Sequence, residues 1–131
     1  LASSNTIPVG LPGCSFYLGI PYAPGRELME RGLPFALASD FNPGSSPVYD
    51  MQKIWSLACI KMKLSPQQAL DAITCNSALA MDARDEVGSI QVGQRANLVI
   101  LQQYVQNLSY VPYSFGENNI ERVMISGEWV V

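Results

Sequence analysis

The sequence predicts an α/β fold: the last strand–helix units of a (β/α)8 barrel, followed by strands of a small β-sandwich domain. Residues 1–82 alternate between short apolar runs and helical patterns, whereas residues 83–131 contain strand patterns joined by turns. The first part offers two good strand candidates, which are too few for a stable parallel sheet. Because a complete barrel of this type needs about 250 residues, we expect these 131 residues to belong to a longer protein. A free-standing domain is the alternative.

Composition narrows the class of protein. Charged residues make up 15% of the chain and hydrophobic residues 48%, which indicates a folded domain with a buried core. The net charge is −3 without a basic cluster, so nucleic-acid and anionic-membrane binding are not expected. No apolar run approaches the roughly 20 residues that cross a bilayer, and no signal peptide is evident. We therefore expect a cytoplasmic protein.

The first elements follow from apolar runs and breakers. Residues 7–11 predict a short strand, and residues 14–22 an apolar loop or short strand. Residues 26–31 predict a short helix that buries Leu28 and Met29 and ends at Gly32. A second strand follows at residues 34–38. Strand, helix and strand in this order predict a parallel, right-handed unit.

A polar loop begins where this second strand ends. Asp40 stands at the strand end, and Asn42, Gly44 and Ser45 follow in a tight turn stiffened by Pro43. Enzymes with parallel sheets place their chemistry in such loops at the carboxyl ends of strands. The alternative is plain turn chemistry, in which Asp40 only starts an Asx-turn.

Two helices are predicted next. Asp50 caps a helix to about residue 63, and its apolar residues recur on one face. That face consists of Met51, Ile54, Trp55, Ala58 and Met62. Ser65 and Gln68 predict a capping box with Pro66 in the first turn of the following helix. This helix is expected to break near residues 74–77, before a short helical turn at residues 78–81.

The β region begins near residue 87. Residues 88–93 predict a turn-rich β element and residues 97–101 a strand, whereas residues 104–119 predict an irregular aromatic loop. Residues 120–125 and 128–131 predict two strands joined by a two-residue turn. The domain boundary is expected at residues 82–86.

The remaining chemistry-bearing residues favour structural roles. The sequence has no His, so any His-based metal site must draw ligands from elsewhere. Cys14, Cys59 and Cys75 form no metal-binding or disulfide pattern, and we expect buried, inert, reduced thiols. Trp55 and Trp129 are expected to pack.

Four further residues have open roles. Tyr22 and Tyr113 lie in predicted loops, and we expect them to pack in the core or at its rim, with lining of a pocket as the alternative. Arg26 and Lys53 have the charge to bind a substrate carboxylate, but exposed positions on helices explain them equally well.

Several segments together carry a resemblance to a known family. Residues 36–47, Ala-Leu-Ala-Ser-Asp-Phe-Asn-Pro-Gly-Ser-Ser-Pro, resemble the eighth-strand signature of the imidazolonepropionases, metal hydrolases of the amidohydrolase superfamily. Further similarities to the same family lie at residues 11–13, 22–24, 58–66 and 113–118, whereas residues 88–101 are similar to a strand that most amidohydrolases share. The resemblance covers nearly the whole chain but only the C-terminal third of such an enzyme. The chain departs from the pattern at Asn97, where Asp is usual, and at Ser114, where many relatives have His.

The resemblance implies a reaction and a set of site residues. One zinc or iron ion is held by Asp40 and by His residues outside this chain, and Asp40 carries the proton during hydrolysis. The substrate is 4-imidazolone-5-propanoate, whose cyclic amide opens to N-formimidoyl-L-glutamate in histidine degradation. Asn42, Gly44 and Ser45 contact the substrate or product. A metal-activated water fits this chemistry, since a bound metal lowers the pKa of water from about 15.7 towards about 7.

The resemblance also implies a homodimer for the complete enzyme, and a chain that is inactive alone. Two alternatives stay open. One is another amidohydrolase-superfamily cyclic amidase or deaminase, and the other is a non-catalytic fragment that keeps the loop.

Overall fold

The computed structural model describes residues 3–131, and its first part is built on two parallel strands. Strand β1 (Val9–Gly10) pairs with β2 (Ala36–Leu37), with Val9 opposite Ala36 and Gly10 opposite Leu37. The Ala36 N–H donates to the Pro8 carbonyl over 3.0 Å. Both residues of β2 are at most 2% exposed. The predicted parallel pairing is confirmed, although each strand is shorter than the apolar run that predicted it.

Two helices connect these strands. Helix α1 (Pro12–Leu18) occupies a segment expected to be a loop or strand, so that prediction was wrong. Pro12 lies in the first turn, and Gly19 ends the helix in the left-handed region at φ 66°. Proline at the start and glycine past the end are helix signals that the apolar composition of the segment concealed.

Helix α2 (Gly25–Glu30) agrees with its prediction. The predicted stop signal is Gly32, which lies two residues beyond the helix and has a φ of +73°. The Gly32 N–H donates to the Met29 carbonyl over 2.9 Å, and the Leu33 N–H to the Leu28 carbonyl over 3.0 Å. This pattern is a Schellman motif, which needs a residue free to adopt positive φ.

Helix α3 (Met51–Lys61) supplies much of the core. The Asp50 side chain caps it by accepting the Gln52 N–H over 2.9 Å. Of its predicted inward face, four side chains are at most 6% exposed, namely Ile54, Trp55, Ala58 and Met62. The Trp55 indole N–H donates to the Pro66 carbonyl over 3.1 Å, which confirms a packing role.

The next two helices lie against β2. Helix α4 (Pro66–Ile73) begins with the predicted capping box, and helix α5 (Cys75–Ala80) follows a break at Thr74. From α5, the Asn76 amide donates to the Phe35 carbonyl and the Ser77 hydroxyl to the Leu37 carbonyl, both over 3.0 Å. Because the Ala36 N–H points towards β1, the Phe35 carbonyl of the same trans peptide points away from it. Helix α5 therefore covers the outer edge of β2.

The last part is an antiparallel sheet. Strands β3 (Leu98–Leu101), β4 (Ile120–Ile125) and β5 (Glu128–Trp129) form a sheet of order β3-β4-β5. Between β3 and β4, helix α6 (Tyr110–Tyr113) lies in a segment expected to be irregular. It packs on α3 and buries Val111, which is 1% exposed. The prediction of an entirely irregular segment was wrong, because burial against α3 stabilises a helical turn that is too short to recognise by periodicity.

The final hairpin agrees with its prediction. Strands β4 (Ile120–Ile125) and β5 (Glu128–Trp129) are joined by Ser126 and Gly127, whose φ values are 52° and 88°. Two residues with positive φ are typical of a type I′ hairpin turn. Trp129 is 46% exposed, and its ring lies 3.8 Å from the Arg122 guanidinium carbon. Trp129 therefore packs on the hairpin surface and lies outside the core.

The predicted β element at residues 88–93 was wrong. The segment contains turns and no strand, and Ile90 and Val92 are 87% and 108% exposed. Within residues 3–131 it has no strand neighbour, so its backbone has no ladder to join.

One hydrophobic cluster spans both parts of the chain. It joins Phe35 and Leu37 of the parallel pair to Val111 of α6, and Leu101 of β3 packs against it. Helix α5 ends at residue 80 and β3 begins at residue 98, and the two parts share one core. No helix within residues 3–131 is long and apolar enough to cross a membrane.

Candidate active site at the carboxyl end of β2

Asp40 lies three residues beyond β2 and carries an uncommitted carboxylate. Its φ is 51°, in the left-handed region that Asp tolerates better than most residues. The residue is half-buried. Among residues 3–131, its side chain makes no hydrogen bond or ion pair, and a free carboxylate is able to take up a proton or a cation.

Asn42 organises the loop that follows. Its Oδ1 accepts the Gly44 N–H over 2.9 Å, the Ser45 N–H over 2.8 Å and the Ser45 hydroxyl over 3.2 Å. Its Nδ2 donates to the Asp40 carbonyl over 2.6 Å. Asn42 therefore starts the Asx-turn. The alternative interpretation of the sequence, in which Asp40 starts this turn, was wrong. An amide has two N–H donors, so one remains for a ligand.

Gly44 differs from its expectation in one respect. The resemblance implies a contact between Gly44 and the substrate or product, but the Gly44 N–H donates to Asn42 Oδ1 within the loop. Gly44 is exposed and is not among the glycines with positive φ. A Cβ there would approach only the Asn42 Oδ1, at 3.4 Å. Nothing in the described chain requires glycine at this position.

Two serines end the loop in different ways. Ser45 is half-buried and keeps its hydroxyl oxygen able to accept a hydrogen bond. Ser46, which sequence reasoning missed, is 0% exposed. Its Oγ donates to the Ser39 carbonyl over 2.6 Å, and its own carbonyl accepts the Asn42 N–H over 3.0 Å. No sequence pattern separates the two serines, because their difference is one of burial.

An aromatic pair flanks the loop and was also missed. The rings of Phe41 and Tyr49 meet edge to face, with centroids 5.6 Å apart and planes at 84°. The two residues are 62% and 76% exposed. Their contact joins the start of the loop to the segment that leads into α3, which restrains the loop from outside.

Comparison with known families decides what this loop belongs to. The model of the amidohydrolase family matches residues 9–130. The chain belongs to the amidohydrolase family. The match includes the parallel pair, the loop of Asp40 and the antiparallel sheet.

Several curated relatives of this amidohydrolase chain are imidazolonepropionases. Imidazolonepropionase of Christiangramia forsetii is 46% identical over 130 residues, and that of Flavobacterium johnsoniae is 48% identical over 128 residues. The alignments cover 99% and 98% of this chain and 31% of each relative. The chain thus spans 31% of the length of these relatives.

Solved structures match the amidohydrolase chain over most of its length. An adenosine deaminase from Xanthomonas campestris with bound zinc has a TM-score of 0.82 and 26% identity, covering 94% of this chain and 31% of its own. Guanine deaminase of E. coli has a TM-score of 0.79 and 16% identity, covering 100% of this chain and 35% of its own. The second likeness shows the fold alone. The predicted α/β class is confirmed, with the chain matching one part of larger hydrolases.

This amidohydrolase chain has one side chain, that of Asp40, at the candidate site that is chemically suited to bind a metal ion. Within residues 3–131, no three His, Cys, Asp or Glu side chains come together in a way that would hold a metal ion. The half-buried Asp40 carboxylate has no hydrogen-bond or ion-pair partner in the described part of the chain. Carboxylate oxygen binds both zinc and iron. A complete ligand set therefore needs donors from other residues, and Asp40 can contribute one.

The charged residues with open roles lie in ordinary surface pairs. Arg26 pairs with Glu30 over 2.7 Å, with both side chains more than half exposed. Lys53 lies 3.7 Å from the Asp50 carboxylate that caps α3. These contacts explain both cations without a substrate.

The two tyrosines with open roles differ in how far they are buried, and so do the three cysteines. Tyr22 packs against the core, and burial raises the pKa of its hydroxyl. Tyr113 is 83% exposed, so it is not in the core. Burial raises the pKa of the Cys59 thiol to about 11, which keeps it protonated and inert at neutral pH. All three cysteines are free, but Cys75 is exposed, contrary to the expectation of burial.

Proposed function

We propose that the chain is the C-terminal third of an imidazolonepropionase. The complete enzyme would hydrolyse the cyclic amide of 4-imidazolone-5-propanoate to N-formimidoyl-L-glutamate, in cytoplasmic histidine degradation. The observation that carries this proposal is the uncommitted Asp40 carboxylate at the carboxyl end of a buried parallel strand. Relatives with this name, 46% and 48% identical across the chain, support the choice of substrate. We extend the proposal to a homodimer of the complete enzyme.

The architecture proposed for the complete enzyme rests on the small number of parallel strands and on exposed apolar side chains in the β part. We propose that β1 and β2 are the last strands of a closed (β/α)8 barrel, and that β3, β4 and β5 belong to a small β-sandwich. Two parallel strands are too few for an independent sheet. The exposed Ile90 and Val92 support missing partner strands in the β part. Residues 1–82 and 83–131 would be the two portions.

We propose that Asp40 is one ligand of a single zinc or iron ion, whose other ligands are His residues outside this chain. When bound, such an ion lowers the pKa of a water molecule from about 15.7 towards about 7 and makes a nucleophile available at neutral pH. The lack of a competing cation or donor at Asp40 within residues 3–131 supports this assignment.

The residues of the loop then have separate tasks. Asp40 takes the proton of the attacking water as the new carbon–oxygen bond forms, and gives it to the ring nitrogen as the carbon–nitrogen bond breaks. Asn42 donates its remaining N–H to the substrate, and the Ser45 hydroxyl oxygen accepts a hydrogen bond. Gly44 leaves room for the substrate to approach the backbone.

A second candidate is a deaminase of the same family. The 26% identity and TM-score of 0.82 to an adenosine deaminase favour it. Because Asp40 would carry a proton in either reaction, the loop chemistry alone does not separate the two. A panel of cyclic amides and amino-substituted heterocycles, tested on the complete enzyme, separates them. Turnover of heterocyclic amines without turnover of imidazolonepropanoate would replace the first proposal with this one.

The first prediction tests the role of Asp40. In the complete enzyme, Asp40→Asn should lower kcat for imidazolonepropanoate by about 10²–10⁴-fold, since it removes a general base without changing side-chain size. Asn tolerates the left-handed backbone at least as well, so the thermal midpoint of the metal-free enzyme should stay unchanged. The 131-residue chain alone should turn over nothing, because it has no His.

Asp82→Asn is the matched control. Asp82 also has positive φ, at 56°, but it is exposed and lies beyond α5. Its substitution should leave kcat unchanged. Activity of Asp40→Asn within a few-fold of the wild type would show that Asp40 is not the proton carrier.

A further inference from the structure

Ser46 is buried and makes hydrogen bonds to the chain on both sides of Asp40. Its hydroxyl donates to the carbonyl of Ser39, the residue before Asp40, over 2.6 Å. Its carbonyl accepts the N–H of Asn42, two residues after Asp40, over 3.0 Å. These two hydrogen bonds connect Ser46 to Ser39 and to Asn42, and Asp40 lies between those two residues in the chain.

The Ser46 side chain faces the interior of the protein. It is 0% exposed and lies next to Gly13, in the first turn of α1. A Cβ on Gly13 would come within 2.9 Å of the Ser46 Oγ and 2.7 Å of a Val48 methyl. Glycine at residue 13 therefore leaves the space that the hydroxyl occupies.

Asp40 needs such support because its backbone is in an uncommon conformation. A φ of 51° is unfavourable for a residue with a Cβ and persists when its surroundings fix it. The Asn42 amide holds the Asp40 carbonyl from one side over 2.6 Å. The Ser46 hydroxyl fixes the preceding peptide from the other side. Loss of the Ser46 bond frees the peptide before Asp40 and leaves the Ser39 carbonyl without that donor.

We propose that Ser46 is a positioning residue that holds the Asp40 carboxylate in its working orientation. The inference rests on the proposed function, in which Asp40 carries the proton and binds the metal. Ser46 touches neither substrate nor metal and acts through the backbone of Asp40. Its loss should therefore change kcat and metal retention while leaving KM nearly unchanged.

The test is a double-mutant cycle in the complete enzyme, with Ser46→Ala made in the wild type and in Asp40→Asn. We measure kcat and KM for imidazolonepropanoate, and the rate at which the metal is lost to a chelator, which needs no turnover. In the wild type, Ser46→Ala should lower kcat and speed metal loss by about 10–100-fold, as expected for a residue that orients a ligand. In Asp40→Asn, the same substitution should change metal loss by less than about twofold, because the carboxylate it positions is absent.

Ser56→Ala is the matched control for a buried serine. Ser56 is 1% exposed and donates to the Gln52 carbonyl over 3.0 Å within α3. The Ser56→Ala variant should lose about as much thermal stability as Ser46→Ala, but its kcat and its rate of metal loss should not change.

Three outcomes count against the inference. Equal effects of Ser46→Ala in both backgrounds, or none in the wild type, would make Ser46 a purely structural residue and leave the proposed function standing. Full activity of Asp40→Asn would overturn the proposed function, and the role of Ser46 with it.

Discussion

One amide side chain divides its hydrogen bonds between two tasks in this site. The Oδ1 of Asn42 accepts three donors from Gly44 and Ser45, and its Nδ2 fixes the Asp40 carbonyl. The sequence left turn chemistry and substrate binding as alternatives for this loop. The geometry makes them compatible, because one N–H of Asn42 remains after the turn is built.

A prediction at this scale concerns Gly44. In the complete enzyme, Gly44→Ala should raise KM for imidazolonepropanoate by roughly tenfold, which corresponds to about 1.4 kcal/mol of lost binding. The added methyl group meets only the Asn42 Oδ1 at 3.4 Å within the chain, so only a bound ligand is crowded by it. The thermal midpoint should not change. Steady-state kinetics and calorimetry measure the two effects.

Gly32→Ala is a control for which we expect the reverse result, a loss of stability without a change in KM. A Cβ at Gly32 meets nothing within 4 Å, but its φ of +73° is strained for alanine. This variant should lose about 1 kcal/mol of stability and keep its KM. An unchanged KM in Gly44→Ala would remove Gly44 from the substrate site.

At the scale of elements, the helices predicted from their ends are the ones that agree with the structure. Helices α3 and α4 begin at side chains that cap them, Asp50 and Ser65, and these signals are local in sequence. Helix α1 was missed although Pro12 and Gly19 mark its ends, because its residues show no clear apolar period. The strand predicted at residues 88–93 did not form, since strands need neighbours.

The capping box of α4 gives a prediction at this scale. The Ser65 hydroxyl accepts the Gln68 N–H over 3.1 Å, and the Gln68 side chain accepts the Ser65 N–H over 2.9 Å. Ser65→Ala should lower stability of the complete enzyme by about 1 kcal/mol. Activity should stay unchanged, because α4 contributes no residue to the site. Chemical denaturation and a turnover assay measure the two quantities.

Ser109→Ala is the control for this cap. Ser109 precedes α6 but makes no side-chain capping bond, so its loss should change stability by less than about 0.5 kcal/mol. Similar losses in both variants would mean that the Ser65 hydroxyl bond adds nothing measurable.

At the scale of the whole molecule, a pair of hydrogen bonds joins the helical part to the β part. The Asn119 N–H donates to Gln52 Oε1 over 2.9 Å, and Gln52 Nε2 donates to Asn118 Oδ1 over 3.2 Å. Asn119 is 0% exposed and lies at the entry to β4. Together with the packing of α6 on α3, these bonds make one core out of two sequence regions.

Gln52→Ala should therefore loosen the β part. It removes the acceptor of the buried Asn119 N–H, which should cost about 1–3 kcal/mol. Amide hydrogen exchange in β4 of the complete enzyme should speed up more than exchange in α4. Gln67→Ala is the control, since Gln67 is exposed and donates to Asp71 within one helix. Equal exchange in β4 for both variants would exclude Gln52 as the link.

The sequence by itself determined the class of the fold, the parallel pair, the capped helices, the final hairpin and the loop at Asp40. These features depend on residues close together in the chain: caps, turn residues and short apolar runs.

Only the tertiary structure decided which of two adjacent serines is buried under the loop, that α6 forms, and that residues 88–93 stay outside any strand. The physical reason is that burial and strand pairing depend on groups far away in sequence. Gly13 leaves the space for Ser46, and α3 supplies the surface on which Val111 packs.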